Sequence, residues 1–161
     1  MNKQITIFKS NKRKIIEDEE WKVVKNSEYY LNQSNYIKNI NDLDIRIKKL
    51  LYKMINTKLS SYKQQDKKNN KYDENKFINI GHTMELLNNS NNLCYYCKKD
   101  TVIFYENIRD ETQWTLDRLD NDSGHNHDNV EICCLKCNIQ RKTMYHERFL
   151  FAKEINIIKK E

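Results

Sequence analysis

Leu43, Ile47, Leu50, Leu51 and Met54 recur at i, i+4, i+7, i+8 and i+11. That spacing marks one face of a helix and predicts one over residues 41–65, with Asn41 or Asp42 able to cap its start. The opposite face carries Arg46, Lys48, Lys49, Lys53 and Lys58, with Tyr52 and Tyr62 interleaved. Upstream, Ile15, Ile16, Trp21, Val23, Val24, Tyr29, Tyr30 and Leu31 supply apolar positions at imperfect helical spacing. The acidic run 17–20 suits the first turn of a helix. Residues 1–14, polar and basic, read as a loose arm. Residues 64–75 read as a basic connector, and Phe77, Ile78, Ile80 and the stretch 83–87 predict a short helix after it.

Downstream the period changes. Residues 101–105, 114–118 and 130–133 have the composition of short strands, and residues 120–129 form a polar loop turning at Gly124. From Asn138 onward a helix is expected, packed by Phe149, Leu150, Ile155 and Ile158. The predicted fold class is α+β. A mainly helical basic region spans 1–90, and a ββα unit spans 91–161.

Composition narrows the function classes. The chain has 161 residues, 38% hydrophobic and 32% charged, so its core is modest. A formal net charge of +6 fits either a polyanionic partner or plain solubility. No apolar run is long enough to span a membrane and no N-terminal signal pattern is visible. Five cysteines, four of them in two C-x-x-C pairs, argue against a secreted disulfide scaffold. The expected setting is an intracellular reducing compartment, cytoplasm or nucleus, including that of a virus-infected host.

The pairs are Cys94/Cys97 and Cys134/Cys137. Four thiolates at this spacing can close a tetrahedral zinc site. Four cysteines leave no open position, so such a zinc is structural, and it holds the polar segment between the pairs in place. Cys133, beside Cys134, is the odd thiol.

Within that segment and beyond it run Leu116-Asp117-Arg118-Leu119-Asp120-Asn121, then Gly124, then Asp128-Asn129-Val130, then Cys134-x-x-Cys137-Asn138-x-x-Arg141-Lys142. In order, spacing and residue type this resembles the HNH (ββα-metal) endonucleases, in the zinc-stapled form of phage and large-virus enzymes. The resemblance covers about the C-terminal third. It implies a metal-dependent DNA endonuclease that hydrolyses phosphodiester bonds. Asp117 and Asn138 then fall where the family places ligands of a catalytic Mg²⁺ or Mn²⁺, and oxygen donors suit such hard cations. Asn129 falls at the loop-bracing position. Lys136, Arg141 and Lys142 fall where a helix start meets phosphate.

Position 118 departs from the pattern. Most members place a histidine base there, and Arg118 stays protonated and cannot accept a proton. It can instead grip the scissile phosphate. Replacement bases in the neighbourhood are His127 and His125 first, then Tyr145 and His146, and metal-bound hydroxide needs none. Alternatively, the chain is a non-catalytic zinc-stabilised nucleic-acid-binding protein with a degenerate HNH site, or a structural zinc protein with a protein partner. The expected partner is double-stranded DNA, contacted also by Lys48, Lys49 and Lys53 of the basic helix. A double-strand cut by one site per chain would favour a homodimer.

Overall fold

The computed structural model describes residues 13–15 and 18–155. Most of the N-terminal arm, Ile16, Glu17 and Ile158 lie outside these residues. The elements in order are α1 (Glu19–Lys25), α2 (Ser34–Lys38), a 3₁₀ turn (Ile40–Asp42), α3 (Ile45–Lys68), α4 (Ile80–Asn89), β1 (Trp114–Arg118), β2 (Val130–Cys134), α5 (Leu135–Arg141) and α6 (His146–Glu154). The fold is α+β, with helices around one antiparallel strand pair.

Helix α3 is the spine. Ile47, Leu50 and Leu51 bury one face of it, as their spacing predicts; Ile55 and Leu59 continue that face, and Met54 is only partly buried. Its cap is Asp44, whose side chain accepts from the Arg46 N–H at 2.8 Å. Asn41 and Asp42 sit one turn too early, in the 3₁₀ turn. The helix also runs past the expected end, through Lys68, so residues 64–68 are helical and the connector is shorter than expected. Asp66 explains the extension: it is a fully buried residue of the last turn, with partners across the molecule.

The strands pair in the register Thr115–Cys133, Asp117–Glu131 and Arg118–Val130. Side chains alternate across the pair, which gives the sheet two different faces. Trp114, Leu116, Val130 and Ile132 join α1–α4 residues in the main apolar cluster. Facing the other way, Thr115 and Cys133 are joined by a hydrogen bond of 2.9 Å from the Thr115 hydroxyl to the Cys133 carbonyl. Cys133 belongs to a second cluster with Cys94, Cys134, Cys137, Tyr96 and Phe149.

Three expectations change. Residues 101–105 are not a strand: the N–H groups of Ile103 and Phe104 both donate to Gln33 Oε1, at 2.7 and 2.8 Å, so a side chain takes the place of a neighbouring strand. The C-terminal helix starts at Leu135 rather than Asn138 and breaks at Lys142, whose φ of 53° leaves the helical region, before α6 begins. Phe149 is buried in α6, but Ile155 is half exposed.

Candidate functional site

The four paired cysteines converge. Their Sγ atoms all lie within 4.8 Å of one another, and Cys97 Sγ and Cys134 Sγ are 3.9 Å apart. Tetrahedral thiolates on a zinc at ~2.3 Å stand about 3.8 Å apart, so the donor set fits one metal ion. Local chain geometry produces this. The Cys94 carbonyl accepts from the Lys98 N–H at 3.0 Å, and Lys98 turns the chain with φ 57°. Cys134 caps α5, accepting from the Cys137 N–H at 3.4 Å. Tyr95 N–H donates to the Ile132 carbonyl at 2.8 Å and ties the first pair to β2. A thiol hydrogen bond from Cys134 pulls Cys94 down to about 4 and pushes Cys134 itself up. None of the five cysteines forms a disulfide.

Above the cysteines, α5 lies against β1. Asn138 donates its amide to Thr115 Oγ1 at 3.1 Å and to the Leu116 carbonyl at 3.3 Å. A carbonyl can only accept, so the amide nitrogen must face the strand. The side-chain oxygen is left without a hydrogen bond among the described residues. One turn on, Arg141 Nη1 donates to Asp117 Oδ2 at 2.8 Å. The same carboxylate oxygen accepts from the Tyr96 hydroxyl. Asp117 is 5% exposed and Arg141 1%. Burial raises the Asp117 carboxyl above its usual range, against the downward pull of Tyr96 and Arg141.

Arg141 is therefore not placed for phosphate. Nη1 and Nη2 also donate to the Arg118 and Leu119 carbonyls at 2.7 and 3.0 Å, clamping the end of β1 onto α5, while the buried Nε has no partner among the described residues. Lys136 is exposed and pairs with Glu111 at 3.1 Å.

Arg118, Lys142 and Lys71 line a cleft of about 570 Å³ between the β1–β2 loop and the α5–α6 corner. Tyr145, His146, Asp120 and Asp122 also line it. Arg118 Nη1 reaches the Ser123 and Asn121 carbonyls at only 3.3 and 3.4 Å, long contacts that leave the guanidinium available. Asn129 ties the loop together: Oδ1 accepts from the Asp120 N–H at 2.9 Å, and Nδ2 donates to the Asp120 and Gly124 carbonyls at 3.0 and 2.9 Å.

The histidines separate. His125 is 3% exposed, stacked on Tyr62 with centroids 4.4 Å apart. Asp66 Oδ2 accepts its backbone N–H at 2.6 Å and Asp66 Oδ1 lies 2.8 Å from Nδ1. The carboxylate must accept, so Nδ1 carries the proton. Burial lowers the imidazole below its usual range. Its place among the replacement bases is lost to this anchoring role. His127 is exposed and lies beside His82, with Nδ1 3.1 Å from the Lys76 carbonyl, and it does not line the cleft. His146 does line it.

The basic helix face differs from expectation too. Lys49 pairs with Glu20 at 3.6 Å, Lys53 with Asp18 at 3.7 Å, and Lys48 donates to the Asn41 carbonyl at 2.8 Å. Lys58 turns inward to Gln113 Oε1 and the Trp114 carbonyl, both at 2.7 Å, and burial lowers its ammonium to about 7. Tyr62 is likewise inside, its hydroxyl accepting from the Leu116 N–H at 3.1 Å.

No sequence signal marks Asp66 or Lys71, which both fall in the segment read as a connector. Tyr96 was visible only as part of the Cys-Tyr-Tyr-Cys run. Among the described residues, no helix is long and apolar enough to cross a membrane. No protein-family model, curated protein or solved structure matches this chain.

Proposed function

We propose that the chain is a metal-dependent endonuclease of HNH type, acting on duplex DNA through Asp117 and Asn138, with a structural zinc on the four paired cysteines. One observation carries the reading. Asn138 of α5 bonds Thr115 and Leu116 of β1 while Asp117 of β1 bonds Arg141 of α5, so both candidates sit at the β1–α5 contact, near the four converging cysteines and beside a cleft lined by Arg118 and Lys142. Asp117 Oδ1 and Asn138 Oδ1 have no hydrogen bond among the described residues, and a carboxylate and an amide oxygen suit a hard divalent cation. Such a cation, when bound, supplies charge stabilisation on the phosphate and on the departing 3′-oxygen. Arg141 and Tyr96 fix the Asp117 carboxylate by holding its other oxygen. Asn129 fixes the loop. Arg118 offers a guanidinium to the scissile phosphate, a geometry in which two parallel N–H donors match two phosphate oxygens.

A second reading, a non-catalytic zinc-stabilised module that binds nucleic acid, is favoured by the Asp117–Arg141 pair. There a protein cation already stands where the metal's charge would act. Plasmid nicking with Mg²⁺ or Mn²⁺ added or omitted decides between them. Nuclease action predicts metal-dependent nicks that Asp117→Asn reduces at least 100-fold, with DNA binding retained. Absence of nicking with either metal, in protein that binds DNA, leaves the binding module. Full activity in Asp117→Asn removes the metal assignment.

A further inference from the structure

The lysines of α3 fall into two groups that differ in what faces them. At the N-terminal half, the acids of α1 and its cap meet Lys49 and Lys53, and Lys48 is held by a backbone carbonyl. At the C-terminal end, Lys63 and Lys67 stand over the Tyr72 ring, 4.9 and 5.1 Å from its centre. Neither they nor Lys71 has a carboxylate within ion-pairing distance among the described residues. Attraction of cations to the C-terminal end of a helix accounts for Lys67 in the last turn. It does not account for Lys63, a turn earlier, or for Lys71, beyond the helix.

This end of α3 is also where the β1–β2 loop docks. Asp66 binds His125, and Lys71 Nζ donates to the Asn121 carbonyl while lining the cleft beside Arg118 and Lys142. Gly124 makes the close approach possible, since a Cβ there would stand 2.3 Å from the Lys71 carbonyl oxygen. Three acids also line the cleft: Asp120 accepts from the Asp122 N–H and the Ser123 hydroxyl, Glu147 lies 2.9 Å from His146 Nε2, and Asp122 has no cation within ion-pairing distance among the described residues. Cations with no carboxylate at ion-pairing distance among the described residues thus run from Lys63 through Lys67 and Lys71 to Arg118 and Lys142, with Glu74 acting on Lys63 and Asp120 on Lys71 and Arg118 only at longer range.

We propose that this track, and not the Lys48–Lys49–Lys53 face, carries the phosphate backbone of duplex DNA to the cleft. The proposal rests on the DNA reading above and names its binding surface. Fixed like charges without carboxylate partners are where displaced counterions make binding salt-dependent. The test compares Lys63→Ala/Lys67→Ala with Lys48→Ala/Lys49→Ala/Lys53→Ala, binding a labelled 20–30-base-pair duplex without added divalent metal across a salt series. Both sets change surface side chains, and Lys71 is left intact because it holds the loop. The first variant is expected to flatten the slope of log K against log salt by roughly 0.9 per lysine, and the second to leave it unchanged. A wild-type slope in the first variant, or a larger loss in the second, overturns the track while the nicking assay still stands for the nuclease. A wild-type protein that binds no duplex overturns both the track and the DNA reading.

Discussion

At the scale of single residues, chemistry here is decided by who holds whom. Histidine in a polar loop reads as a candidate base, and the sequence offered two within three positions. His125 is instead drawn into the interior by Asp66, 59 positions away. The pair has a pH signature. Burial holds the folded imidazole below its ordinary value, so the folded state binds fewer protons than the unfolded chain just below about pH 6.5. His125 therefore contributes stability that is present above about pH 6.5 and is lost as pH falls through that value toward the lowered folded one. Urea midpoints at pH 7.5 and 5.5 should converge in His125→Gln relative to wild type; equal pH dependence in both proteins would refute the assignment. Arg141 teaches the same lesson. A basic residue near a helix start suggested phosphate, yet its two Nη groups are taken by a carboxylate and two carbonyls of its own chain.

At the scale of elements, pattern was a good guide wherever a segment satisfies its backbone within itself or with the strand next in sequence. α3, β1, β2 and α4 lie within a few residues of where their patterns put them. It misled at 101–105, whose β-like composition is real but whose N–H groups are satisfied by Gln33 rather than by a strand. No local rule reports a side chain arriving from some 70 positions away. Gln33→Leu should strand both N–H groups and the Phe104 carbonyl. The cost is on the order of 1–3 kcal/mol for each buried group left unpaired. A urea midpoint unchanged from wild type would show that water or another group replaces the glutamine. The α5–α6 break was equally illegible, because Lys142 carries no glycine or proline to announce it.

Across the whole molecule, two clusters divide the work. The main core packs α1–α4 on one face of the strand pair, while the cysteine cluster anchors Tyr96, Phe149 and the start of α5 on the other. The second cluster is small, and a metal held by its four cysteines would add stability that so few apolar contacts cannot. Metal analysis of purified protein should return about one zinc per chain. Removing it should loosen α5 and α6 and disperse Asp117 from Asn138, measured as lost helicity and lost nicking together. A metal-free protein with unchanged helicity and unfolding midpoint would show that packing alone holds the site.

The sequence by itself determined the α3 face, the two strands, the α+β class and the four cysteines able to meet on one metal. Each of these rests on short spacings that the backbone converts directly into geometry. The tertiary structure alone decided which charges remain free, which histidine is buried and which arginine is spent inside. Those outcomes depend on partners tens of positions away, and a charge or an imidazole has no chemical role until its partner is fixed.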